Sequence, residues 1–210
     1  MILVGQYDSP YVRRVAISLH LFGMPFERDT RSVFGDADAM RAINPLGRIP
    51  SLVLDDGEVL IDSAAILDHL DEVVGPERAL LPVRGRERRR ALQLTALATG
   101  TLDKIGAIVY ERSLRPVDKQ HEPWVERCQL QFESGLRALE AITGPAWFSD
   151  RILQPDIMTA CVVAYVRLRI PALFTAERYP RLDRIATACE ALPAFVQTRP
   201  ALDEVMPAGL

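Results

Sequence analysis

The chain has 210 residues, 49% of them hydrophobic, with three cysteines and a formal charge of −3 from 25 Lys and Arg against 28 Asp and Glu. That length and apolar content support a fully buried core in one large or two small domains and exclude a disordered chain. The mixed-sign charge leaves no basic footprint, which argues against nucleic acid or a membrane surface as partner and for small-molecule chemistry or protein contacts. Cys128, Cys161 and Cys189 all fall in the second half without CxxC spacing, so buried free thiols in a reducing compartment are expected and a metal site is not. The opening "MILVGQYDSP" lacks the basic start and apolar run of a signal peptide, and no apolar stretch nears the ~18 residues of a membrane span, so the expected location is cytoplasmic.

In chain order, Ile2 to Val4 reads as a short strand broken by "YDSP", and Val12, Val15, Ala16, Leu19 and Phe22 follow at helical spacing until Gly23 and Pro25. An extended piece lies around Phe26 to Arg31, a short helix near Ala37 to Ile43, then an "NPLG" turn. After Pro50, "SLVLDD" and "EVLID" flank Gly57 as a hairpin, and a helix from Ser63 to Val74 stops at Gly75-Pro76. The predicted first domain, residues 1–76, is therefore a β-α-β-α-β-β-α unit. A linker over 77–85 leads to residues 86–210, which show only long helical patterns: Glu87 to Arg112, Pro123 to Ile142, Pro155 to Arg169, Tyr179 to Leu192 and a short piece near Ala194 to Thr198. The basic cluster Arg84, Arg86, Arg88, Arg89 and Arg90 at that domain's start is a solvated helix face or a subunit contact.

Three features in the first domain bear on chemistry. Ser9 stands where the first strand gives way to the first helix, with Pro10 at the favoured first helical position; its hydroxyl either caps the helix or faces an anion drawn to the free N–H groups there. Pro50 opens a strand, a place tolerated because proline cannot donate to a sheet ladder, and it suits a cis turn. Asp62 and Ser63 occupy the cap region of the third helix, where they either cap it or help to receive a carboxylate.

A strand-opening proline in this order of elements resembles the thioredoxin-type fold. With "NPLGRIP", "IDSAAILDHL" and an all-helical second domain, the pattern resembles the cytosolic glutathione transferase superfamily over nearly the whole chain. The opening "YDSPYVRRVAISLHLFGMPFE" is similar to bacterial members with a serine at the first helix start. The resemblance implies that Ser9 faces the glutathione sulfur and that Ile49, before a cis Pro50, offers its backbone to the cysteinyl unit. It implies that Asp62 and Ser63 hold the γ-glutamyl end and that Arg48 lies near the glycyl carboxylate. It also implies a homodimer and an electrophile site lined by the first helices of the second domain, for which Tyr110 is a candidate with core packing the equal alternative.

The residue types suit such a ligand on physical grounds. Glutathione carries two carboxylates, an ammonium and a thiol: the helix mouth at Ser63 suits the glutamyl carboxylate, Asp62 the ammonium and Arg48 the other carboxylate. Only a thiolate attacks well, so the expected task of Ser9 is to stabilise it, since a hydrogen bond to a charged group contributes ~1.5–3 kcal/mol, or about one to two pKa units. Tyr7 lies close enough in sequence to compete for the sulfur, but it sits at a strand end, and helix-terminal geometry puts Ser9 first. No thiol accompanies Ser9, which disfavours cysteine-based deglutathionylation.

The predicted function is a glutathione-dependent enzyme that attacks a small electrophile or reduces disulfides or peroxides, with glutathione as co-substrate and no metal. The alternative is a family-fold interaction protein that binds transcription or translation machinery. One departure from the family pattern lies in "RILQPDIMTACVV", where Leu153 replaces the hydroxyl residue of a capping box that Asp156 completes. The helix then starts one residue later at Gln154, or its end is stabilised differently.

Overall fold

The computed structural model describes residues 1–144, 148, 151–201 and 204. By contacts the chain forms two compact units, Met1–Val83 with Ala191–Val205, and Arg84–Glu190. The segment 191–205 thus groups with the first unit, whereas the sequence pattern ran a single helical domain through 86–210. Arg13 of the first stretch holds that segment by donating to the Thr198 and Phe195 carbonyls.

The first unit runs β1 (Ile2–Val4), α1 (Pro10–Phe22), β2 (Glu27–Asp29), α2 (Ala37–Ile43), β3 (Ser51–Val53), β4 (Val59–Ile61) and α3 (Ser63–Val74). Its sheet has the order β2-β1-β3-β4, with β1 and β2 parallel and the other pairs antiparallel. The parallel pair follows from the α1 crossover, and the β3–β4 pair is the hairpin expected around Gly57, whose φ of 91° only glycine adopts readily. β2 is Glu-Arg-Asp, a charged edge strand, which protects the sheet from pairing with other chains. Val12, Val15, Ala16 and Leu19 of α1 are fully buried, and α1 packs against α3 through a stripe that includes Ile66 and Leu70. α1 stops at Gly23, in the left-handed region with φ 65°, whose N–H returns to the His20 carbonyl.

The second unit contains α4 (Gly85–Leu114), α5 (Glu122–Ile142), α6 (Gln154–Arg169) and α7 (Pro180–Glu190); the four-residue α8 (Pro193–Val196) lies in the segment that joins the first unit. α6 is the unit's centre: residues 153–163 are buried without interruption. α4 and α5 cross closely because Gly135 has no side chain; a Cβ there would lie 2.0 Å from Thr101 Oγ1. α6 does begin at Gln154, but with Leu153 as its N-cap and Pro155 in its first turn, so the start matches the first alternative while the end is stabilised without a cap hydroxyl, as in the second. Asp156 Oδ2 accepts from the Leu153 N–H at 2.9 Å and Oδ1 from the Phe148 N–H at 2.9 Å, which supplies the terminus without a cap hydroxyl. No helix among the described residues is long and apolar enough to cross a membrane.

Candidate active site

The β1–α1 junction is built on a close approach. Gly5 has φ 132°, and a Cβ there would lie 2.6 Å from Val12 Cγ2 and 2.9 Å from Ile49 Cβ. The absent side chain lets the "RIP" turn lie against the segment that leads to Ser9. Ser9 itself is the N-cap of α1 with extended backbone, and its carbonyl accepts the Arg13 N–H at 2.9 Å, yet its hydroxyl makes no capping hydrogen bond. The hydroxyl is therefore not spent on the helix.

Tyr7 is only 2% exposed. Burial pushes its hydroxyl above the ordinary phenol range, with the Arg28 guanidinium, 3.5 Å from the ring centre, pulling it partly back. A buried phenol that holds its proton is a poor rival to Ser9 for a solvent-borne sulfur.

The turn before β3 is tied by Asn44, which is 2% exposed. Its Nδ2 donates to the Arg48 carbonyl at 2.8 Å and its Oδ1 accepts from the Leu46 N–H at 2.9 Å, so one side chain clamps both sides of "PLGR". The Ile49-Pro50 peptide bond is cis and Pro50 is buried. Among the described residues the Ile49 N–H donates no hydrogen bond and its C=O accepts none, and the exposed Arg48 guanidinium has no ion-pair partner. A backbone edge and a cation are thus open on one turn.

At the start of α3, Asp62 is the N-cap: its Oδ1 accepts from the Ala64 N–H at 2.8 Å and from the Ser63 hydroxyl at 3.3 Å, and the carboxylate is exposed. Ser63 is buried, and its hydroxyl accepts from Arg14 Nη2 at 2.6 Å. Its side chain is thus committed to α1, which leaves its backbone N–H as the group that can meet a carboxylate. Asp62 and Ser63 stand at the start of α3, while Tyr110 lies on α4 in the other unit, 49% exposed. Arg84, Arg86, Arg89 and Arg90 are exposed, as for a solvated face.

Sequence patterns did not single out Asn44, Arg14 or Arg28. Asn44 carried a legible signal, an Asn heading a Pro-Leu-Gly turn. Arg14 carried none, since a basic residue in an amphipathic helix reads as solvent-facing.

Comparison with known proteins supplies the context for this geometry. The profile of the glutathione S-transferase N-terminal domain matches residues 3–78, and that of the C-terminal domain matches residues 122–185. The chain is 31% identical to a maleylacetoacetate isomerase of Pseudomonas aeruginosa over the whole of both chains. It is 29% identical to the uncharacterised GST-like protein YibF of Escherichia coli, over 95% of this chain and 98% of that one. Among solved structures, a glutathione S-transferase from Methylobacterium radiotolerans in complex with glutathione sulfonate superposes with a TM-score of 0.90 at 29% identity, covering 100% of this chain and 99% of that chain.

Proposed function

Since the chain belongs to the glutathione S-transferase superfamily, we propose that it binds glutathione through Arg48, Ile49, Asp62 and Ser63, with Ser9 stabilising the thiolate for attack on a small electrophile. The open N–H and C=O of Ile49 carry this reading, because an extended peptide can pair with them as an added strand. The charges around that edge then sort the ligand: the Asp62 carboxylate takes the ammonium, the Ser63 N–H and the dipole of α3 take the glutamyl carboxylate, and Arg48 takes the glycyl carboxylate. Pro50 shapes the turn and touches no reacting atom.

In the reaction the glutathione thiol gives its proton to solvent, the Ser9 hydroxyl donates to the resulting sulfur anion, and the sulfur forms a bond to the electrophilic carbon. With an aryl halide, halide departs and the conjugate is the product. The match to a maleylacetoacetate isomerase supports a second outcome of the same step: addition to a cis double bond, rotation, and release of the thiolate, which leaves an isomer and unconsumed glutathione. The electrophile site is assigned to the helical unit, with Tyr110 as its candidate residue.

Family relatives associate in pairs, so we assign a homodimer, which light scattering at micromolar concentration tests; a monomer would remove it. The buried thiols Cys128, Cys161 and Cys189 suit a reducing, cytoplasmic setting.

The deciding experiment is retention on immobilised glutathione followed by turnover of aryl halides, peroxides, disulfides and cis-enones such as maleylacetoacetate, with Ser9→Ala alongside. Binding with Ser9-dependent turnover is expected, and Ser9→Ala should raise the bound thiol's pKa by about one to two. Failure to bind glutathione overturns the reading, and binding without turnover of any class favours the interaction-protein alternative.

A further inference from the structure

The loop that delivers Ser9 is held from the far end of the sequence. β1 ends at Val4, so the Tyr7 N–H lies beyond the sheet ladder and, being buried, needs an acceptor of its own. That acceptor is Glu204 Oε2, at 3.0 Å and 197 residues away. The other carboxylate oxygen of Glu204, a residue only 5% exposed, is ion-paired with Arg28 of β2. The Arg28 guanidinium in turn covers the Tyr7 ring with 3.5 Å to its centroid. Tyr7, Arg28 and Glu204 form a closed triangle in which each member touches the other two.

The same C-terminal segment is gripped on the other side of Ser9. Arg13, whose N–H closes the first turn of α1 on the Ser9 carbonyl, donates through Nε to the Thr198 carbonyl at 3.0 Å and through Nη2 to the Phe195 carbonyl at 3.2 Å. Ser9 therefore sits between two residues, Tyr7 and Arg13, that are both bonded to residues 195–204. Asp62, Ser63, Ile49 and Arg48 have no bond to that segment among the described residues.

We propose that Glu204 is a positioning residue for Ser9: its buried carboxylate fixes the backbone at Tyr7 and so sets where the Ser9 hydroxyl stands relative to the glutathione sulfur. The proposal rests on the reading of Ser9 as the thiolate-stabilising group. It predicts a division of labour, in which the carboxylate and ammonium contacts that give affinity are independent of the tail, while the hydroxyl that lowers the thiol's pKa depends on it. A hydrogen bond to an anion weakens steeply with misalignment, so a small displacement suffices.

The test uses the full-length chain with Glu204→Ala, Glu204→Gln, Ser9→Ala and the Ser9→Ala/Glu204→Ala pair. Calorimetry reads glutathione affinity, and thiolate absorbance titrated with pH reads the bound thiol. Glu204→Ala is expected to raise the bound thiol's pKa by about one and to lower kcat, with glutathione affinity changed by less than about threefold. Glu204→Gln keeps an acceptor for the Tyr7 N–H and should show a smaller rise; it also serves if Glu204→Ala does not fold. In the pair, the Glu204 substitution should add nothing to the effect of Ser9→Ala, as for residues acting as one unit. A bound-thiol titration in Glu204→Gln and Glu204→Ala that coincides with wild type, or an additive shift in the pair, overturns the proposal while leaving Ser9 in place. No shift in Ser9→Ala itself overturns the underlying reading and the proposal with it.

Discussion

Arg14 of α1 donates to the Ser63 hydroxyl of α3 at 2.6 Å, and both residues are buried. A cation from one helix thereby finds an acceptor for its Nη2 at the N-terminus of the other, beside the N–H group assigned to the glutamyl carboxylate. Ser63→Ala removes that acceptor from a buried guanidinium and should cost about 1–3 kcal/mol of unfolding free energy in urea titration. Glutathione affinity should fall far less, because the Ser63 N–H survives the substitution. A stable variant that has lost glutathione would instead place the hydroxyl in direct contact with ligand.

Asp62 caps α3 and is proposed to meet the glutathione ammonium, and one substitution separates the two. Asn is as good an N-cap as Asp, so Asp62→Asn should retain the bond from the Ala64 N–H and leave stability within about 0.5 kcal/mol. It removes the charge offered to the ammonium and should weaken glutathione binding by about 1.5–3 kcal/mol in calorimetry. Unchanged affinity removes Asp62 from the site.

Asp156 makes stability depend on pH in an unusual direction. Burial raises its pKa from 3.8 to about 6, against the opposing pull of the backbone N–H groups of Phe148 and Leu153. Between those values the folded chain holds a proton that the unfolded chain releases, so this group's contribution is largest below pH 4 and is lost as pH rises to 6, by up to about 3 kcal/mol. Other groups titrate in the same window, so the measurement is the difference in unfolding free energy between wild type and Asp156→Asn. That difference should fall from pH 4 to 6 and be flat on either side; a difference independent of pH would refute the assignment.

Gly135 sets how closely α4 and α5 approach. Alanine gains ~1 kcal/mol of helix propensity over glycine, but its Cβ would lie 2.0 Å from Thr101 Oγ1, and overpacking of this kind costs about 1–3 kcal/mol. Gly135→Ala should therefore lower the melting temperature, and adding Thr101→Ala should recover much of the loss. A more stable single variant would show that the helices can part at little cost.

The elements were legible in the sequence wherever apolar spacing met a Gly or Pro boundary. The helix expected over Ser63 to Val74 and the short one over Ala37 to Ile43 are observed with those limits, and α4 outruns its expected range by two residues at each end. β2 has no apolar pattern, being Glu-Arg-Asp, and was readable only from its place after α1. Among the site's neighbours, Ser9, Asp62 and Ser63 announced themselves by position at helix starts. Arg28, exposed on an edge strand, did not, and neither did Arg13, Arg14 and Glu204, because a charged side chain is buried only when a partner awaits it. Here the partners lie 49 to 197 residues away, beyond the reach of any local pattern.

The first unit is assembled from two separated stretches of chain, and this orders events on the ribosome. Asp62, Ser63, Arg48 and Ile49 emerge early, whereas the acceptors at Phe195, Thr198 and Glu204 exist only after the whole of Arg84–Glu190 has been translated. At ~5–20 residues per second that interval is on the order of ten seconds. Throughout it the nascent sheet and its helices have to persist with Arg13 and the Tyr7 N–H lacking their C-terminal partners. The groups proposed to recognise glutathione are thus laid down first, and those that brace the Ser9 turn follow only after the second unit has been made.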